Sequence, residues 1–529
     1  MDQMKCHSCG VTNEDDFVLC WKCGRPRAAE GAAGGGLTRL GEPAARVVPG
    51  TGFNRDATRY LCAALQMNAG LNELAHKHLL REEYRSITSS PGIDLVTVLK
   101  WGVAARSRQL TRDVLLVVLL LIGLGLLSSP EPEWVLLPLF AGWAVMFVET
   151  LSTYYGVLAR HFRRSCFNPA NAPAPTSEAT RKRLEAVSVH DRGNVTVFAN
   201  YGPFAGHGTP FGNWSFTLNV AKAAEGEEAI DFTTAELRDF VADAVRGIGL
   251  PGVMVEDRVF VSGQDLLHGL EAPVKQAILP DELAAPASRV DEPLIAQLRE
   301  DPQSRARPYL VVRVGGWSGE LVVTMFLRFA LMPRKDQLYV EANYSLLRPL
   351  QERYQHVDRL LGNPTPRQFV RLAGSSLARF VPTTFGAVQR IWGVVIAPVV
   401  AEFTHRREKR EITHERSFNY GAVINLRERA SDFRYHRYFQ SLDKEMYSKL
   451  AERRVVDALE EFLEAHNIDT SDLRERQTTI LNSGIYVSGQ GSFKAGSVAV
   501  GRNPISHAFA RAGSTFARAG AAVQNSRGK

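Results

Sequence analysis

Two apolar runs stand out from the rest of the hydropathy pattern. Residues 114–127 contain no polar side chain, and residues 134–148 are nearly as apolar. Between them lies a short acidic, Pro-rich stretch, residues 128–133. A bilayer core of about 30 Å asks for about 20 apolar residues of helix. The first run reaches that length with its flanking residues, and the second by continuing past Glu149 through Leu151, Tyr154, Tyr155 and Val157. A helix without a polar face must be surrounded by protein or by lipid. The pattern therefore predicts a two-helix transmembrane hairpin over residues 113–159.

Charge at the ends of the runs orients that hairpin. Lys100, Arg106, Arg108 and Arg112 precede it, and Arg160, Arg163 and Arg164 follow it, whereas the turn has no Lys or Arg. By the positive-inside rule both termini are expected in the cytoplasm, on a multi-pass protein of the inner (plasma) membrane. Glu149 is expected at the inner boundary beside Arg160. Two helices make a poor pore, so an oligomeric channel or stress effector is a separate reading that rests on Glu149.

Away from the hairpin the periods change. Residues 54–112 carry helical spacing, with Tyr60, Leu61, Ala64 and Leu65 on one face and Leu95, Leu99 and Val103 on another. A Pro/Ala linker at 160–180 leads to residues 181–350, where strand-like pieces at 187–189, 195–198, 214–220, 253–261, 309–314, 320–331 and 337–344 outnumber helices. Thr233 and Glu236 form a capping box that opens an amphipathic helix. The expected fold is a cytoplasmic α+β domain followed by a mainly helical region, 351–478. Residues 391–400 are apolar but too short to span; they read as an interfacial or re-entrant segment or a core helix, with a position against the membrane surface or the sheet domain favoured and a solvated charged run after them. Residues 479–501 alternate β-prone pieces with glycine, similar to glycine-spaced motifs used for homotypic assembly; a hairpin added to a local sheet is the other reading. A basic tail, 502–529, is expected to be disordered.

The most specific chemistry is N-terminal. Cys6, Cys9, Cys20 and Cys23 have C-x2-C-x10-C-x2-C spacing, which suits a closed tetrahedral zinc site with a structural Zn2+. Residues 1–26 thus resemble a zinc ribbon, and the Gly-rich residues 27–53 read as a flexible linker. Cys62 and Cys166 have no evident partner, as expected in a reducing compartment. A hydrophobic content of 45% indicates mostly folded mass. The net charge of +7 gathers at the membrane flanks and the tail, which favours anionic lipid and gives no specific nucleic-acid signal.

The loop after residue 198 is the candidate ligand or partner loop, with Gly202, Gly206, His207, Gly208 and Gly212. Its G-x-G-x3-G spacing precedes a strand and opens no helix, so it is not a dinucleotide or P-loop fingerprint. It reads either as a binding loop or as a glycine-shaped hairpin connection. Residues 435–449, 467–476, 58–64 and 91–96 together resemble an uncharacterised family of actinobacterial two-pass membrane proteins with an N-terminal zinc ribbon. The resemblance supports the architecture and implies no activity. No catalytic motif was found, and catalytic residues are unassigned. The sequence favours a non-enzymatic, membrane-anchored adaptor or scaffold with protein partners and possible homo-oligomers. A membrane-bound enzyme using the 202–212 loop is the alternative.

Overall fold

The computed structural model describes residues 4–5, 12–13, 55–128, 132–250 and 252–482. The four N-terminal cysteines, the 27–53 linker and residues 483–529 lie outside these. The chain divides into two compact units, Met1–Pro49 and Gly50–Lys529. In the first, strands β1 (Met4–Lys5) and β2 (Thr12–Asn13) pair antiparallel, with Met4 opposite Asn13.

The second unit opens with α1 (Arg55–Met67) and α2 (Ala69–Ala75), then the long α3 (Leu95–Leu127). Asp94 starts α3 by accepting from the Thr97 N–H at 3.1 Å, satisfying a donor that the first helical turn leaves free. The other hairpin arm is α4 (Leu136–Leu151), extended by a π turn, Ser152–Leu158, and by α5 (Ala159–His161). Helix α6 (Glu178–Asp191) covers residues 187–189, which the sequence reading makes a strand. The β-branched residues there are overridden by a Ser177 cap and by packing of Leu184 and Val187, one helical turn apart.

The sheet has β3 (Val195–Phe198), β4 (Thr209–Asn219), β5 (Val253–Ser262), β6 (Arg307–Gly316), β7 (Leu321–Leu331) and β8 (Gln337–Leu347). The order is β3-β5-β6-β7-β8-β4, with β3–β5 parallel and the other pairs antiparallel. Strand β4 starts at Thr209, five residues before the expected start, because its pairing with β8 runs on past a bulge between Pro210 and Gly212. Helices α7 (Thr234–Arg246), α8 (Ala272–Ile278), α9 (Glu292–Glu300), α10 (Glu352–Gln355), α11 (Pro366–Arg410), α12 (Leu426–Ala430), α13 (Tyr438–Ala465) and α14 (Ser471–Asn482) complete the described residues. The capping box at Thr233 and Glu236 opens α7 as expected.

The two faces of the sheet differ in kind. Alternate residues point to opposite sides, so directly paired residues share a face. Leu310, Val312, Met325, Leu327, Leu338 and Val340 form one apolar face, which α7 and α13 cover with Val241, Val245, Val455 and Leu459. Each such side chain contributes roughly 1.5–3 kcal/mol on burial. The opposite face carries Glu256, Arg258, Arg313, Thr324, Glu341 and Ser345, brought side by side by the strand register.

Among the described residues, three helices are long and apolar enough to cross a membrane: Leu95–Leu127, Glu133–His161 and Pro366–Glu415. The third departs from expectation. The apolar residues 391–400 are the middle of one 45-residue helix that packs against both hairpin arms. Its contacts rise and then fall. Gln368 accepts from the Tyr155 hydroxyl, Phe369 meets Phe147, the Ala373 carbonyl faces the Trp143 indole, and Phe380 lies over Gly142. Beyond Pro382 the helix returns down α3: Ala387 packs on Leu116, Arg390 pairs with Asp113, and His405 stacks on Tyr84. Proline in a helix interior removes one hydrogen bond and clashes with the preceding turn, which bends the helix there. Glu149 pairs with Arg112 at 3.6 Å, and not with Arg160 as expected, because Arg112 joins Asp113 in a network that also holds Arg390.

Candidate functional site

The 202–208 loop folds down onto the polar sheet face. Phe204 stacks on Phe326 at 3.9 Å between ring centroids and meets Phe260 and Tyr309 edge-on. Gly206 and Gly208 both have positive φ, +91° and +92°, where a side chain is strained. A Cβ at Gly206 would come within 2.4 Å of the Ser89 carbonyl, and one at Gly208 within 2.2 Å of that of Leu346. This conformation turns both N–H groups toward Glu428 of α12, whose Oε1 accepts from Gly206 at 2.8 Å and Gly208 at 2.9 Å. Burial raises the Glu428 carboxyl above its ordinary range, and the two N–H groups oppose that shift.

His207, between those glycines, is fully buried. Among the described residues neither ring nitrogen has a hydrogen-bond partner, and the ring sits edge-on to Phe326 at 5.0 Å. Burial, reinforced by Arg258 and Arg313, holds its pKa well below 6.5, so the imidazole is neutral near pH 7. Gly202 is exposed with open space around it, and Gly212 lies inside β4 opposite Tyr344. Of the five predicted loop residues, two, Gly206 and Gly208, form a backbone clamp on Glu428, and His207 between them is not open to solvent.

Beneath the loop lies a charged network that sequence reading missed. Arg258 is 1% exposed and donates to the Gly193 carbonyl at 2.7 Å, the Thr196 hydroxyl at 3.2 Å and Glu256 at 2.9 Å. Arg313 reaches the same carboxylate at 2.9 Å. Burial alone would raise the Glu256 carboxyl, but Arg313 and Arg258 together hold it below its ordinary range. Asp191, at the end of α6, accepts from the Ser90 N–H at 2.8 Å. Burial pushes its carboxyl up to about 6, against the pull of that N–H and the two arginines. The signal was present in Glu256, Arg258 and Arg313: charged residues at alternate positions of otherwise Val-rich strands mark a polar inner face.

Asp191 gives a pH prediction. Its carboxyl titrates at about 6 folded against 3.8 free, so the folded state holds the proton more tightly. Stability is therefore fully present below pH 3.8 as far as this group goes, and falls as pH rises through about 6. Asp191→Asn should flatten that stretch and raise stability at pH 7 by about 1–3 kcal/mol. Denaturant unfolding at pH 4.5 and 7 measures this; an unchanged slope between them would contradict the assignment.

The flanking arginines are engaged with protein. Arg106 pairs with Glu73, Arg108 donates to Gln66, Arg112 binds Asp113 at 2.7 Å, and Arg164 reaches Asp56 at 3.2 Å. Arg163 donates to the Cys166 sulfur at 3.7 Å, and Arg160 is exposed. Among the described residues no cluster of His, Cys, Asp or Glu could hold a metal ion. Cys6, Cys9, Cys20 and Cys23 lie outside the described residues, although β1 and β2 flank the first pair in sequence.

Fold and site together define a mixed-sheet α+β protein that carries three helices apolar enough for a membrane, with a closed polar interior under a glycine-shaped loop. The AbeC-like domain matches residues 213–497, more than half of the sequence, and the chain belongs to that family. Residues 2–28 match a domain of unknown function, DUF7577. No curated protein and no solved structure matches the chain.

Proposed function

We propose that this chain is a membrane-anchored adaptor, which holds one body at the inner membrane and offers a second, tethered unit to protein partners. The observation that carries the reading is the division of the chain. One compact unit is Met1–Pro49, and the other, Gly50–Lys529, contains both the sheet and the long apolar helices. Such a division suits recruitment, since a linker lets the small unit search while the anchor fixes the large one.

The anchor is read as two-pass, with both termini cytoplasmic. Support comes from both ends of α11. Tyr354 and Val357 before it, and Ile412, Phe418 and Tyr420 after it, are buried in cores of the same body. A full crossing would separate those groups by about 30 Å of hydrocarbon, so α11 is read as a bent helix that enters and leaves on one side. Lipids are then partners of its exposed Phe385, Trp392 and Phe403. The donor chemistry of Cys6, Cys9, Cys20 and Cys23 fits a structural Zn2+ that would fold the tethered unit. Burial of His207 speaks against the enzyme reading of the 202–212 loop.

The test is cross-linked affinity purification of the full chain from native membranes, against a version lacking residues 1–26 and a Cys9→Ser version. A defined partner recovered with the full chain and lost with both variants is the expected result. In the same preparations, zinc bound per chain should fall to background in Cys9→Ser. Recovery of the same partners with all three would sink the adaptor reading.

A further inference from the structure

The bend in α11 has a counterpart in the hairpin. On either side of Pro382 in α11, Phe380 lies over Gly142 and Ala387 packs on Leu116, while α3 runs on to Leu127. That leaves 11 residues of α3, about 16 Å of helix, beyond the level of the bend. Above the bend is a cleft of about 180 Å³ between α3, α4 and α11, with Leu120, Leu124, Pro138, Phe380 and Phe385 in its walls. Among the described residues Thr384 is the one polar side chain in its lining, and its hydroxyl donates to the Phe380 carbonyl at 2.8 Å. One turn below Leu116, Asp113 and Arg390 close the inner end with paired hydrogen bonds of 2.6 and 2.9 Å.

We infer that this cleft is a binding site for one acyl chain of a phospholipid from the leaflet on the side of the hairpin turn. The walls leave an occupant no hydrogen bond to make, and an apolar cavity of comparable size stays dry and takes hydrocarbon. The length decides in the same direction: about 16 Å is close to half of the roughly 30 Å hydrocarbon core, so the cleft spans one leaflet. Volume separates a chain from a helix. A helix about 10 Å across and 16 Å long would need more than about 1,000 Å³, several times the cleft's volume of about 180 Å³. It is open sideways, because Leu124, Leu127 and Phe385 on its rim are 52%, 58% and 68% exposed. The acidic turn bears the exposed Glu133 and no Lys or Arg, so a zwitterionic amine headgroup suits that leaflet better than an anionic one.

This site rests on the membrane reading above. The test places the full chain in nanodiscs of phosphatidylethanolamine and phosphatidylglycerol, doped with phosphatidylethanolamine that carries a photoactivatable group in its tail. Cross-linked residues are mapped by mass spectrometry. Labelling is expected to concentrate on Leu120, Leu124 and residues 380–385. It should fall about tenfold in Leu120→Trp, which fills the cleft, and stay unchanged in Leu121→Trp, which faces outward at 62% exposure. Gly123→Leu provides a second filling variant, since an added Cβ there meets only Pro138, at 3.7 Å. Labelling spread evenly over the outward positions, indifferent to both filling variants, would overturn the site while leaving the membrane reading intact. No labelling anywhere on the hairpin would defeat that reading itself. Cross-links from the cleft to a second copy of the chain would replace the lipid by an oligomer contact and overturn the proposal.

Discussion

Replacing Arg258 by alanine should destabilise the folded body by about 3–5 kcal/mol, among the largest single losses open to this chain. The side chain is 1% exposed and ties three elements together: the Gly193 carbonyl after α6, Thr196 of β3 and Glu256 of its own strand. Its removal leaves a buried carbonyl and hydroxyl without their donor. Arg313 then holds Glu256 alone, and a void opens under the loop that carries Phe204 and His207. Arg258→Lys keeps the charge but cannot present the planar fork, so it should recover part of the loss and not all of it. Denaturant unfolding of the detergent-solubilised chain measures both. A shift of Arg258→Ala within about 0.5 kcal/mol of the parent would match an ordinary surface substitution and contradict the buried network.

The second large effect is expected at Asp113. This carboxylate is 1% exposed at the foot of the apolar part of α3, where it accepts from Arg390 and Arg112. Among the described residues it is the only acidic group that Arg390 contacts, whereas Arg112 keeps Glu149. On the proposed membrane reading, Asp113→Ala leaves the Arg390 guanidinium facing hydrocarbon with the Thr383 carbonyl as its remaining acceptor, at a cost of about 3–5 kcal/mol. The outcome should be an undocked α11, seen as proteolytic cleavage within residues 391–404 of membrane-embedded protein. Adding Arg390→Met removes the stranded charge and should restore protection, because a broken pair costs more than an absent one. Equal cleavage in single and double variants would show that the pair does not hold α11.

These effects mark where the sequence was readable and where it was not. The α3–α4 hairpin is plain because its apolar residues are consecutive. Helix α11 is hidden because Pro382, Pro398, Arg379 and Arg390 chop its apolar stretches into pieces, each shorter than a span. Its continuity depends on contacts with Trp143, Phe147 and Asp113, and these are more than 200 residues away in the chain. The glycines at 206 and 208 announced an unusual backbone correctly. Their purpose, carrying two N–H groups to a carboxylate 222 and 220 residues further on, has no local trace. Residues 187–189 show the opposite failure, where β-branched side chains suggested a strand and tertiary packing of Leu184 and Val187 made a helix.

On the proposed two-pass anchor, α11 enters and leaves the membrane on one side, which keeps the sheet and Phe433 in the cytoplasm. Epitope tags inserted at Glu133, in the hairpin turn, and at Phe433, after α11 and 93% exposed, test it in intact cells. The tag at Glu133 should be reached by antibody from outside, and the tag at Phe433 only after permeabilisation. A tag at Phe433 reached in intact cells would mean that α11 crosses the membrane, and the one-body anchor would be wrong.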